Sequence, residues 1–178
     1  MKKILTARSW LLFVILILMP LLISFIFLAT DSSKDGDEGF FKYYSYFALY
    51  AILGFNSWLF IIGTSLYKKL PDRRAANLII FKISILFPIF YLLCVSILVL
   101  MPSLQLSKIP FWVFLPLQFF LFLCFFYSFY IVSKMLRSVE LGINVSSKEW
   151  IFYFILICFM PIGIWFLQPR ISNIFKGQ

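Results

Sequence analysis

Five runs of apolar residues, 10–30, 44–67, 78–101, 111–133 and 150–167, occupy most of this chain, each long enough or nearly long enough to cross a bilayer as a helix. A hydrocarbon core about 30 Å thick needs roughly 20 such residues at 1.5 Å rise each. Composition agrees. Of the 178 residues, 63% are hydrophobic and 24 are Phe, and the mean hydropathy is +1.00, which leaves too little polar surface to clothe a soluble domain. A bilayer offers backbone groups no water, so spans are helices or closed barrels, and these runs are continuously apolar rather than alternating. The sequence therefore predicts an all-α polytopic transmembrane helical bundle of about five helices with short loops, one domain over residues 1–178. Lys2, Lys3 and Arg8 precede the first run as they would in a secretory signal. That run is too long, and Leu28-Ala29-Thr30 is a poor cleavage site, so it reads as a retained helix.

Cationic loops stay on the cytoplasmic side, and their distribution predicts orientation. With the N-terminus inside, Lys2, Lys3 and Arg8, then Lys68, Lys69, Arg73 and Arg74 in a loop at 68–77, then Lys134, Arg137 and Lys148 in a loop at 134–149, all face the cytoplasm. Outside fall Lys34, Lys42 and Lys108, joined by Arg170 and Lys176 if the fifth run crosses. The net charge of +9 is thereby accounted for by topology and anionic lipid headgroups, without a nucleic-acid partner. Residues 31–43 read as an acidic exterior loop. Asp31, Asp35, Asp37 and Glu38 lack the register of a calcium-binding EF-hand, which leaves a solvated turn. Lys134 to Leu141 continues helix four to a left-handed cap at Gly142, and Ser146-Ser-Lys-Glu149 has the spacing of a capping box that opens the next helix.

Catalysis within a bilayer needs groups that ionise, coordinate or attack, and they are scarce here. Histidine is absent, and every acid lies in a loop or at a helix end. Cys94, Cys124 and Cys158 sit singly in apolar sequence, with neither metal-ligand spacing nor a neighbouring cation to activate them. No catalytic, cofactor or metal site is expected. Lys82 lies about one turn inside helix three, where its stem can snorkel to the headgroups, with a counter-ion, substrate-binding or pore role as the alternative. Asn56 and Gln118 are polar at membrane depth, marking either interhelical hydrogen bonds or a pore lining. Tyr50, Gly54, Ser57, Ile61 and Thr64 share one face of helix two and form a mostly small stripe suited to close helix contact. Pro20, Pro88, Pro116 and Pro161 are candidate kinks. Pro161 and Gly163 together weaken the fifth run, and Gln168-Pro169-Arg170 is expected to end it. A bent or re-entrant fifth segment is the alternative to a fifth crossing.

The string Pro161-Ile-Gly-Ile-Trp-Phe-Leu-Gln-Pro-Arg-Ile171, with Ser138-Val-Glu-Leu-Gly142 upstream, resembles small multi-pass inner-membrane proteins of Bacteroidota whose function is uncharacterised. The resemblance covers the last quarter of the chain. It implies a bacterial inner membrane and carries over no catalytic residues. In size and number of spans the chain is also similar to small membrane proteins that accompany RNA-targeting CRISPR effectors. That likeness would imply a membrane accessory or effector in phage defence. The expectation from the residues is a non-enzymatic membrane protein that acts through helix packing, as a homo-oligomer or as a subunit beside another membrane protein, with lipids as its solvent. An oligomeric channel or pore is the alternative.

Overall fold

The computed structural model describes residues 2–31, 36–72, 76–100, 112, 114–145 and 148–176. Among them the long elements are all helices: α1 (Lys2–Leu5), α2 (Ser9–Phe13), α3 (Met19–Asp31), α4 (Gly36–Lys69), α5 (Leu78–Leu100), α6 (Phe114–Leu141), α7 (Ile151–Cys158) and α8 (Met160–Lys176). The fold is an all-α bundle. Four helical segments, Ser9–Ile26, Leu49–Lys69, Leu78–Val95 and Leu115–Leu141, are long and apolar enough to cross a membrane. The chain divides into two compact units, Met1–Ile62 with Ile151–Gln178, and Gly63–Trp150.

In the first unit, α2 and α3 are joined without interruption by a π-helical turn at Val14–Leu18. Pro20 explains it. Proline has no N–H for the carbonyl four residues back and its ring collides with that carbonyl, and a π turn relieves both by lengthening the local repeat. The Met19 amide bonds the Val14 carbonyl in that pattern, and Ser24 donates to the Pro20 carbonyl at 2.8 Å. α4 begins at Gly36, well before the expected start at 44, so much of the expected acidic loop is helical. Asp37 and Glu38 fall in its first turn, a position where acidic residue types favour a helix start.

In the second unit, α5 starts at an Asn77 cap whose Oδ1 accepts the Ile79 and Ile80 amides at 3.0 and 3.3 Å. α5 and α6 run antiparallel. Their seam is a Ser84–Ser128 hydroxyl pair at 2.9 Å, an edge-on Phe87–Phe120 contact with ring centroids 4.6 Å apart, and a Tyr91 hydroxyl donating to Gln118 at 3.4 Å. α6 extends to Leu141, and Gly142 closes it at φ +67°, the left-handed cap expected there. Ser138 then accepts the Val145 amide, and Trp150 meets Tyr130 edge-on, holding the following turn against the helix. Ser146 and Ser147 lie outside the described residues; Lys148–Trp150 forms a 3-10 turn.

The tip of the Phe81 ring abuts Gly63, filling the space a Cβ would occupy, and Phe81 is itself 1% exposed. Gly63→Ala is expected to cost roughly 1–3 kcal/mol as an overpacked site, read as a lower apparent Tm in detergent. Phe81→Leu in the same background should recover part of that loss. Equal stability of Gly63→Ala and the parent would remove this contact from the account. Ser84→Ala, by contrast, leaves Ser128 bonded to the Cys124 carbonyl and should cost only about 0.6 kcal/mol.

Candidate functional site: a helical hairpin clasped to the N-terminal segment

The fifth apolar run is not a single helix. α7 and α8 meet at a turn on Phe159, where Pro161 has no amide to continue the ladder and the Gly163 amide bonds back to the Phe159 carbonyl at 2.8 Å. The second helix then folds back beside the first. Tyr153 and Arg170, 17 positions apart, would be about 25 Å apart on a straight helix, yet the Arg170 guanidinium donates to the Tyr153 hydroxyl and lies 5.3 Å from its ring centroid. Gly163 makes this possible, since the Leu156 carbonyl occupies the place of its absent Cβ. Only glycine allows that backbone approach.

Gln168-Pro169-Arg170 does not end α8, contrary to expectation. The helix passes through Pro169 to Lys176, because Ile171 and Ser172 beyond it are buried and their packing outweighs one lost backbone bond. Gln168 is 1% exposed, and its amide nitrogen donates to the carbonyls of Ile4, Leu5 and Ala7, each at 3.1 Å. α1 is one turn long, and apart from the Ala7 amide on the Ile4 carbonyl at 3.3 Å, a side chain far away in the sequence supplies the donor to these carbonyls. Three acceptors around one atom identify that atom as the nitrogen of the amide. Phe13 then meets Trp165 with ring centroids 5.8 Å apart. Moving from Gln168 towards the turn thus means moving from residues 4–7 into the first long helix, so α8 runs antiparallel to it.

Between these elements lies an open cleft of about 300 Å³. Trp10 and Trp165 form walls, Arg8 and Lys176 stand at its edge, and Ser172 contributes from α8. Neither cation has an acidic partner among the described residues. The Ser172 hydroxyl is buried and has no hydrogen-bond partner among them either. From the sequence, Gln168 reads only as part of a helix terminator and Arg170 as that and a tail cation. An amide flanked by Trp165 and Pro169 in apolar sequence was the available signal.

The other residues singled out by the sequence are placed as follows. Asn56 is fully buried and donates to the Ile52 carbonyl of its own helix at 2.9 Å, while its Oδ1 has no partner among the described residues. Gln118 is exposed and paired with Tyr91, and Lys82 is exposed one turn beyond the Asn77 cap. Of the helix-two stripe, Gly54 packs against Leu16 of the π turn, a Cβ there being 3.0 Å from Leu16 Cδ2. Tyr50 and Ser57 are exposed, and Ile61 and Thr64 are half-buried. Pro88 sits inside α5, whereas Pro116 and Pro161 lie in first turns, where no intrahelical amide is required. Cys94, Cys124 and Cys158 are separate free thiols, and no group of three metal-ligating side chains converges among the described residues.

No protein-family model, curated protein or solved structure matches the chain. Its class rests on its own fold and surface: a helical membrane protein with four helices able to span.

Gln168→Leu removes the donor while keeping the volume. It should cost about 1–3 kcal/mol by stranding the Leu5 and Ala7 carbonyls, with faster tryptic cleavage after Arg8. Gly163→Ala should lower the apparent Tm by at least as much, because a backbone carbonyl cannot move aside as a side chain can. Parent-like cleavage and melting in both variants would refute the clasp.

Proposed function

We propose that this is a non-enzymatic integral protein of a bacterial inner membrane that crosses four times, inserts its α7–α8 hairpin part-way, and acts by assembling with a second copy or another membrane protein. The observation that carries this reading is the apolar character of its outward face. Buried Asn56, Ser84, Ser128 and Gln168 bond within the chain, while outward positions include Phe25, Ile79, Phe90, Phe119, Phe159 and Ile162, all at least 62% exposed. Such a surface suits lipid or another apolar helix. Buried polar side chains that bond carbonyls of their own chain serve packing rather than a pore lining.

The hairpin supports an even number of crossings. Gln168 lies level with residues 4–7, beside the start of the first long helix, so the tail belongs on the N-terminal side. From Gln168 to Phe159 the descent is about 14 Å, roughly half of a 30 Å core. Arg170 and Lys176 then join the N-terminal, 68–77 and 134–149 cations, leaving Lys34, Lys42 and Lys108 opposite. This is a stronger positive-inside bias than a fifth crossing gives.

Alkaline phosphatase and green fluorescent protein fused in turn to each terminus test the topology. Both ends are expected to fluoresce and neither to show phosphatase activity, and an active C-terminal phosphatase would sink it. Native mass of protein purified in mild detergent tests assembly. An oligomer or a stoichiometric partner is expected, and a clean monomer would count against the proposal.

A further inference from the structure

We infer that the cleft between the N-terminal segment and α8 is a binding site for the phosphate-bearing headgroup of an anionic membrane lipid. The inference rests on the topology proposed above and extends it to a ligand. Arg8 and Lys176 line the same cleft from distant parts of the sequence, and among the described residues neither is neutralised by an acid and no acidic side chain lines the cleft. An anion entering there meets two unpaired charges. Ser172, buried and with its hydroxyl unpartnered, lines the same cleft and offers a donor to a phosphate oxygen. Its volume of about 300 Å³ is at the lower end for sites that take small ligands.

The walls favour a lipid over a free anion. Trp10 and Trp165, each about half exposed at 50% and 47%, are the residue type that settles at the headgroup level, and both flank the opening. Next to Trp10, the exposed apolar side chains of Leu11, Ile15 and Leu18 continue along the first long helix away from the cleft. Acyl chains leaving a headgroup held at Arg8 would lie along that face. A free phosphate would gain nothing from it.

The test is lipid binding by native mass spectrometry, titrating purified protein with dioleoyl phosphatidylglycerol or dioleoyl phosphatidylcholine. The parent should prefer phosphatidylglycerol. Arg8→Gln with Lys176→Gln should weaken its binding on the order of thirty-fold, at about tenfold or less per surface cation. Lys68→Gln with Lys69→Gln, an equal loss of charge elsewhere, should change it by less than about twofold. The swap Arg8→Lys with Lys176→Arg should retain the preference. Equal weakening in both Gln pairs would reduce the effect to diffuse attraction and overturn the site, as would loss of preference in the charge-retaining swap. Displacement of phosphatidylglycerol by millimolar inorganic phosphate would overturn the lipid in favour of a free anion. No preference in the parent, with both termini cytoplasmic, would refute the site and leave the topology standing. Termini on opposite faces would refute the topology itself.

Discussion

A backbone carbonyl removed from water can bond only to a donor the protein supplies, and this requirement runs through the whole structure. Within helices the ladder meets it, and at several points a side chain adds a donor. Ser24 reaches the Pro20 carbonyl just past the π turn, and Gln168 gathers three carbonyls at the end of α1. Ser84, Ser128, Ser133 and Asn56 each bond a carbonyl three or four residues back on their own helices. In water such back-bonding slightly weakens a helix. Here it also satisfies hydroxyls and amides that would be costly to leave unpaired in an apolar surrounding.

The same requirement shapes the hairpin. An apolar segment that reverses direction has to satisfy the backbone groups of its turn within the chain. Gly163 lets the Leu156 carbonyl rest directly on its Cα, which closes the bend with no gap for a side chain. Arg170 and Tyr153 link the two arms with a charge-assisted bond and a ring contact. The Phe159, Ile162 and Gly163 amides all find carbonyls at the turn, and the side chains that Phe159 and Ile162 expose there are apolar.

Much of the bundle was legible because length and hydropathy report directly on what a bilayer demands. α5 and α6 lie close to their expected ranges, and Gly142 caps α6 because a left-handed residue at a helix end is nearly a glycine monopoly. The start of α4 was less legible, since polarity marks a loop only when no helix outcompetes it. Proline was legible as a disturbance but not in kind. Pro20 gave a π turn, Pro116 a harmless first turn, Pro161 a reversal and Pro169 almost nothing, and neighbouring packing decided which. The clasp was hidden for a different reason. Its partners are separated by most of the chain, and no periodicity connects Gln168 to residues 4–7.

That separation has a consequence for biogenesis. Ile4 leaves the ribosome 164 residues before Gln168, and domains form as their residues become available during synthesis. The Leu5 and Ala7 carbonyls therefore reach the membrane surface well before the Gln168 amide that bonds them is made. The clasp thus closes only on chains translated as far as Gln168.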